Sequence, residues 1–107
     1  MVQSELSLLE KLPGKTRPYL MAHRGNRAKF PENTLAAFYQ AIKDGSDIIE
    51  TDLHLSRDDD FICIHDDTVD RTTNGTGMVN GLSTEEIQSL KALDKSGKET
   101  DQGVPIL

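Results

Sequence analysis

The sequence predicts an α/β protein in which strands of a parallel sheet alternate with helices. Two short apolar runs, at 19–22 and 61–64, have the length of buried strands. Between them, residues 33–43 repeat apolar side chains with the period of a helix. The strand at 19–22, this helix and the next strand, at 48–55, begin a right-handed parallel unit, which the run at 61–64 follows. The chain has 107 residues, 36% of them hydrophobic and 28% charged, which is typical of one globular domain.

The first 18 residues are predicted to be a leader that precedes this unit. Three leucines spaced along one helical face predict a short amphipathic helix that ends at Pro13-Gly14: Leu6, Leu9 and Leu12. The first strand is then Tyr19–Ala22, and it is followed directly by His23-Arg24-Gly25.

The helix is predicted from Asn33 to Lys43. Asn33 or Thr34 can cap its start, and Gly45 follows where a helix commonly ends. Three side chains fall at i, i+3 and i+7 and form its apolar face: Leu35, Phe38 and Ile42.

A continuous strand is predicted over Ile48–Leu55, where Glu50 and Asp52 share one face. The next strand is Phe61–Ile64. The link between the two strands is too short for a crossover helix, which leaves an antiparallel excursion or an irregular barrel edge as alternatives.

A second helix is predicted from a capping box, in which Ser83 caps the start and Glu86 follows three residues later. Leu82 and Ile87 are spaced as a hydrophobic staple. This helix is expected to run to about Leu90 or Leu93, and Val104–Leu107 is expected to begin another strand.

Charge and cysteine content exclude several classes of protein. The net charge is −6 and the 12 basic residues are scattered, which argues against binding to nucleic acid. No apolar stretch approaches the length of a membrane span, and the N-terminus lacks the features of a secretory signal. The single cysteine, Cys63, excludes an internal disulfide framework. We therefore expect a cytoplasmic protein without stable membrane insertion, whose oligomeric state the sequence does not indicate.

Polar residues that could carry chemistry follow the predicted strands. His23 and His65 each come directly after an apolar strand, and function in parallel α/β sheets gathers at the carboxyl ends of strands. Each could instead be a surface histidine. Near neutral pH, one imidazole can donate a proton while another accepts one, as the cleavage of a phosphodiester requires. The planar guanidinium of Arg24 could bind phosphate oxygens or, alternatively, form a salt bridge at the rim of the sheet.

Glu50 and Asp52 are expected about 6.6–7 Å apart along one strand face. Their mutual repulsion would be relieved by a divalent cation, and oxygen ligands favour Mg²⁺ or Ca²⁺. A solvated strand face is the alternative. His54 shares their face but is interpreted as a neighbour of the site, and Asp58-Asp59-Asp60 as a solvated turn.

Five strings in this sequence together resemble the glycerophosphodiester phosphodiesterase family, in the same order. They occupy most of the chain from residue 19 to residue 107: Ala22-His23-Arg24-Gly25, Pro31-Glu32-Asn33-Thr34, Ile49-Glu50-Thr51-Asp52, His65-Asp66, and Asp70-Arg71-Thr72-Thr73-Asn74-Gly75-Thr76-Gly77.

The resemblance implies the N-terminal portion of a TIM (β/α)8 barrel over residues 19–107, with the family's inserted segment at about 66–103. It implies His23 and His65 as general acid and base, Arg24 as the phosphate-binding residue, and Glu50 and Asp52 as metal ligands.

The implied reaction is hydrolysis of glycerophosphodiesters to sn-glycerol 3-phosphate and an alcohol with a divalent cation, Mg²⁺ or Ca²⁺. A related lysophospholipid or sphingomyelin phosphodiesterase is one alternative, and an inactive remnant that binds only metal or anions is another. The family has a further metal-binding carboxylate beyond Leu107, and such a barrel has roughly 250 residues. The sequence therefore predicts a truncated barrel, and we expect the chain on its own to be inactive.

Overall fold

The computed structural model describes the backbone of residues 4–7 and of residues 19–107, with side chains described from Leu20 onward. The remaining part of the predicted leader, including most of its expected helix, lies outside these residues.

The first sheet has three strands in the order β1-β2-β3: β1 Ser4–Ser7, β2 Tyr19–His23 and β3 Ile48–Glu50. β1 runs antiparallel to β2, and β2 runs parallel to β3. The helix predicted around Leu6 is therefore wrong at Ser4–Ser7, because the backbone of these residues pairs with β2 rather than with itself. The parallel pair of β2 and β3 is the unit that the sequence predicted.

Helix α1, Leu35–Lys43, connects the two parallel strands. Of the two predicted caps, Thr34 is the one used: its hydroxyl accepts a hydrogen bond from the Ala37 N–H. Ala37 and Ala41 are fully buried on the face that turns towards the protein. Gly45 follows the helix with a φ of +93°, a left-handed conformation that ends a helix at little cost for glycine.

The strand predicted over Ile48–Leu55 is divided in two, which corrects the sequence-based expectation. β3 ends at Glu50, and β4, Leu53–Leu55, begins a separate antiparallel hairpin with β5, Phe61–Cys63. The backbone changes partners at the break, since the carbonyl of Asp52 accepts a hydrogen bond from Ile64 N–H instead of from β2. The short link is therefore a hairpin turn, and the alternative of an antiparallel excursion is confirmed.

The segment after β5 folds over this hairpin and shares a core with it. Helix α2, Thr84–Gln88, has the predicted capping box, with Ser83 and Glu86 satisfying each other's backbone N–H groups. A 3-10 helix at Val79–Gly81 precedes it. The buried side chains of the common core come from both parts: Ile62, Ile64, Val69, Val79 and Ile87.

Helix α2 is shorter than predicted, because residues after Gln88 pair with an earlier loop. Asn74 and Lys91 exchange two hydrogen bonds, one of them through the Asn74 side chain. The Leu90 side chain lies against Gly75, where an added Cβ would come within 2.6 Å of it. These contacts draw the chain away from the helix axis.

Instead of the strand predicted at Val104–Leu107, the described residues form an isolated bridge between Ile106 and Ile62. Pro105 accepts a hydrogen bond from Cys63 but has no N–H to donate, which limits regular pairing. In the described part of the chain, none of the helices has the length and apolar character needed to cross a lipid bilayer.

Candidate active site

Backbone hydrogen bonds bring the carboxyl ends of three strands to one edge of the molecule. The N–H of Arg24, which follows β2, donates to the carbonyl of Glu50 at the end of β3, at 2.8 Å. The N–H of Ile64, which follows β5, donates to the carbonyl of Asp52 at 3.0 Å. The polar residues predicted from the sequence therefore emerge from neighbouring positions.

His23 and Glu50 are partners in the parallel register of β2 and β3. Nε2 of His23 lies 3.6 Å from Oε1 of Glu50, at ion-pair distance but too far for a hydrogen bond. This carboxylate oxygen is buried and has no hydrogen-bond partner among the described residues. A buried carboxylate oxygen that lacks a donor is energetically costly, so this position favours a positively charged group.

Arg24 occupies a left-handed conformation, with a φ of +61°, directly after β2. Its side chain is only 13% exposed and lies between two carboxylates. Nη1 donates to Oε2 of Glu32 at 3.3 Å, and Nε lies 3.4 Å from Oδ2 of Asp52. Within residues 20–107, Nε itself is buried without a hydrogen-bond partner. The hydrogen bond to Glu32 uses only one of the five N–H groups of the guanidinium, so donors remain for another acceptor.

Asn33 holds the loop before α1 against the residues that follow β3. Its backbone N–H donates to the carbonyl of Arg24 at 2.9 Å. Its side-chain amide donates to Asp52 at 3.3 Å and accepts from the Thr51 hydroxyl at 2.8 Å. The side chain is buried among these partners. Asn33 therefore fixes the position of Asp52 although Asp52 lies outside a strand.

His65, the residue after Ile64, has a side chain that is 44% exposed. Nδ1 of its ring lies 2.9 Å from Oδ1 of Asp66. The ring of His54 contacts the His65 carbonyl through Nε2 at 2.9 Å. Among the described residues, the structure does not pair His65 directly with Glu50 or Asp52. It does place His65 in the lining of the same cavity as Glu32 and Asn33.

Arg71 joins His65 to the rest of this edge. Its guanidinium donates to both oxygens of Glu32 at 3.0 Å each, and to both oxygens of Asp66 at 2.8 and 3.1 Å. We call the resulting connected series the charge chain; its members are Asp52, Arg24, Glu32, Arg71, Asp66 and His65.

The charge chain keeps Glu32 and Asp66 ionised. The hydrogen bonds from Arg71, and then that from His65, hold the pKa of Asp66 far below its ordinary value. Burial works to raise the pKa of Glu32, but the hydrogen bond and positive charge of Arg71, with Arg24, outweigh it and lower this pKa. At neutral pH both carboxylates are therefore ionised, and they accept hydrogen bonds but do not donate them.

Glu50 and Asp52 fit part of the coordination shell of a hard divalent cation. Both supply carboxylate oxygens, and one oxygen of Glu50 is buried without a donor from the described side chains. Within the described residues there is no group of three or more histidine, cysteine or acidic side chains arranged to hold a metal ion. Further ligands would come from groups other than these.

Sequence reasoning missed the functional position of three residues: Glu32, Asp66 and Arg71. Glu32 stood in the string Pro31-Glu32-Asn33-Thr34 without an assigned role. Asp66 and Arg71 stood in strings that carried the family resemblance, and this was the signal that could have identified them. Their spacing gave no other sign, because Arg71 and Glu32 are 39 residues apart in the chain.

Comparison with known proteins identifies the family. The family model described as "Glycerophosphoryl diester phosphodiesterase family" matches residues 23–107. The chain belongs to this family. The resemblance predicted from the five strings is thereby confirmed. The relatives that it matches are named as glycerophosphodiester phosphodiesterases, which are phosphoric diester hydrolases.

Relatives from distant organisms share this part of the phosphodiesterase sequence. The glycerophosphodiester phosphodiesterase of Caldanaerobacter subterraneus is 49% identical over 80 residues, which are 75% of this chain and 33% of that protein. Human glycerophosphodiester phosphodiesterase 1 is 44% identical over 82 residues, 77% of this chain and 25% of that protein. The chain thus spans about a third or less of the relatives it matches.

Solved structures of the family confirm the predicted fold. The glycerophosphodiester phosphodiesterase of Agrobacterium tumefaciens superposes with a TM-score of 0.73 at 43% identity, over 81% of this chain and 38% of that one. An Oleispira antarctica phosphodiesterase in complex with the product sn-glycerol-3-phosphate gives a TM-score of 0.75 at 34% identity. This match covers 81% of the present chain and 36% of the Oleispira chain. The structure is the N-terminal portion of the TIM barrel of this family.

Proposed function

We propose that a complete barrel containing this chain hydrolyses glycerophosphodiesters to sn-glycerol 3-phosphate and an alcohol. The observation that carries the proposal is the position of His23, 3.6 Å from Glu50 and next to Arg24 at one strand edge. The Oleispira relative, described as holding sn-glycerol-3-phosphate as product, supports this class of substrate.

Arg24 is the residue that would bind the phosphate. Its hydrogen bond to Glu32 uses one N–H of Nη1, while Nε is buried 3.4 Å from Oδ2 of Asp52. Because Glu32 and Asp52 flank the guanidinium, its orientation is fixed before substrate arrives, which reduces the cost of binding an anionic oxygen. The N–H groups that these two carboxylates do not use are then oriented by the protein before the phosphate binds.

His23 and His65 would carry the protons. One imidazole accepts the proton of the attacking hydroxyl or water, and the other donates a proton to the departing alkoxide of the alcohol. Both side chains are accessible, at 27% and 44% exposure. They follow β2 and β5, whose ends are joined to Glu50 and Asp52 by the backbone hydrogen bonds of Arg24 and Ile64, so we place a phosphodiester held by Arg24 between the two imidazoles.

Glu50 and Asp52 would hold the divalent cation, Mg²⁺ or Ca²⁺. When bound, such a cation lowers the pKa of a coordinated hydroxyl and offsets negative charge on the phosphate in the transition state. Oε1 of Glu50 also lies 3.6 Å from Nε2 of His23, so the cation and this imidazole would share one carboxylate neighbour.

The proposal is tested with a complete barrel that contains this chain, assayed on glycerophosphocholine. We expect turnover to be lost after treatment with EDTA and restored by Mg²⁺ or Ca²⁺. Undiminished turnover after complete removal of metal would contradict the role assigned to Glu50 and Asp52. Glu50→Gln is expected to raise the metal concentration needed for half-maximal activity, because one anionic ligand is removed.

Histidine variants test the assignment of acid and base in the same assay. His23→Ala and His65→Ala are each expected to lose about 10²–10⁴-fold in kcat, the usual contribution of general acid–base catalysis. His54→Ala is the matched control, because the ring of His54 hydrogen-bonds to the backbone carbonyl of His65 and not to its imidazole. Equal losses in all three variants would mean that the site has been assigned wrongly.

A further inference from the structure

We propose that Arg71 is a positioning residue for His65: it holds Asp66 in place, and Asp66 in turn fixes the ring orientation and tautomer of His65. The inference rests on the proposed function, in which His65 transfers a proton. Arg71 itself would touch neither the substrate nor the cation.

The first support is the hydrogen bonding of the Arg71 guanidinium. It makes four hydrogen bonds, two to Glu32 and two to Asp66, all between 2.8 and 3.1 Å. Its Nε, Nη1 and Nη2 atoms all donate to these two carboxylates. Although the side chain is 50% exposed, the guanidinium is thus hydrogen-bonded to groups within the protein. Such bidentate pairs fix relative geometry as well as charge.

The second support is the contact between Asp66 and His65. An ionised carboxylate only accepts hydrogen bonds, so at 2.9 Å Nδ1 of His65 must be the donor. In the neutral ring the proton then resides on Nδ1 and the lone pair on Nε2. This is the tautomer needed for Nε2 to exchange a proton with a substrate.

The third support is the anchoring of Glu32. Its side chain is only 12% exposed, and it also accepts a hydrogen bond from Arg24, the residue assigned to the phosphate. Arg71 therefore attaches the segment that carries Asp66 to a carboxylate already fixed beside the phosphate site. A lysine could not replace it, because one ammonium group cannot present a fork to two carboxylates at once.

The kinetic test compares Arg71→Ala with Arg57→Ala in the complete barrel. Arg57 is a matched control, since it forms an ion pair with Glu86 at 3.1 Å in the same part of the chain, and both of these side chains are more than half exposed. We expect Arg71→Ala to lower kcat about 10–100-fold with little change in KM, as for other residues that orient a reactive group through a partner. Arg71→Lys should not restore kcat, whereas added guanidinium ion should restore part of it in Arg71→Ala. Loss of kcat in Arg71→Ala no greater than in Arg57→Ala would overturn the proposal.

A second readout does not depend on activity. The ¹⁵N chemical shifts of the His65 ring report its tautomer, and we expect the Nδ1–H form in the wild-type protein and a mixture in Arg71→Ala. Asp66→Asn, which keeps the size of the side chain, should change the tautomer of His65 in the same way. If Arg71→Ala does not fold, the ring shifts of Asp66→Asn test the proposal instead.

The two proposals fail separately. An unchanged tautomer in both Arg71→Ala and Asp66→Asn would sink the positioning role even if the enzyme is active. A wild-type barrel without phosphodiesterase activity would contradict the proposed function, while the ring shifts would still decide whether Arg71 orients His65.

Discussion

The Asn33 amide donates a hydrogen bond to Oδ2 of Asp52 at 3.3 Å, across a separation of 19 residues. Asn33 has a φ of +55°, in the left-handed region that asparagine tolerates better than most residues. One residue therefore serves both the turn before α1 and the carboxylate proposed to bind the cation.

Replacement of Asn33 separates these two roles. Asn33→Gly and Asn33→Ala both lose the hydrogen bonds to Asp52 and Thr51, but only alanine strains the left-handed backbone. We expect Asn33→Ala to be less stable than Asn33→Gly by about 1 kcal/mol, after the greater flexibility of glycine in the unfolded chain is included. Urea unfolding of the two variants measures the difference. A glycine variant less stable than the alanine variant would contradict the backbone argument.

Gly25 is predicted to be intolerant of any side chain. It has a φ of +79°, and an added Cβ would lie 2.8 Å from the Ala37 backbone in α1. Gly97 has a similar φ of +83°, but no described atom lies within 4 Å of its added Cβ, so it is the matched control. We expect Gly25→Ala to be destabilised by at least about 2 kcal/mol more than Gly97→Ala, since overpacking adds to the backbone strain. Equal unfolding midpoints in urea would show that the loop can move away from α1.

Asp66 is predicted to make the free energy of unfolding depend on pH in the acid range. Its pKa is held below the ordinary value of 3.8 by Arg71 and His65. A group whose pKa is depressed in the folded state stabilises the protein above its unfolded pKa, and this contribution is lost as pH falls through the folded value. We therefore expect the free energy of unfolding to fall below about pH 4, and to fall less steeply in Asp66→Asn. Urea unfolding between pH 7 and acid pH checks this.

A control for this pH dependence is Asp101→Asn, because Asp101 is exposed and its carboxylate accepts a hydrogen bond from the neutral amide of Gln102. The loss of stability at acid pH should be reduced more by Asp66→Asn than by this variant. Equal profiles for the two variants would mean that Arg71 does not favour the ionised form of Asp66 in solution.

Cys63 is predicted to react slowly with thiol reagents. Its side chain is buried, and burial raises the pKa of the thiol, so little thiolate is available at mildly alkaline pH. The rate of reaction with a disulfide reagent should increase greatly when the chain is unfolded in urea. A native rate close to the unfolded rate would show that β5 is open to solvent.

The parts of the fold predicted from the sequence are those set by neighbouring residues. The cap of α1 at Thr34 and the capping box of Ser83 and Glu86 are local, and both were predicted. The division between β3 and β4 was not, because side-chain alternation continues through residues 51–52 while the hydrogen-bonding partner changes from β2 to β5. Pairing between distant strands leaves no mark in a short window of sequence.

The same limit applies to the site. His23 and His65 were identified because each follows an apolar strand, and Glu50 and Asp52 because of their alternation. These assignments stay predictions of function. The connection through Arg71 could not be predicted, since its two carboxylate partners lie 5 and 39 residues away and only folding brings them together.

The alternation of charge from Arg24 through Glu32 and Arg71 to Asp66 has a consequence for how this segment can change in evolution. Each inner member touches two groups of opposite sign, so reversal of one charge creates two repulsive contacts at once. Variants that survive selection with a different residue at one of these positions should carry a compensating replacement at a neighbour. The four positions would then be inherited as a set.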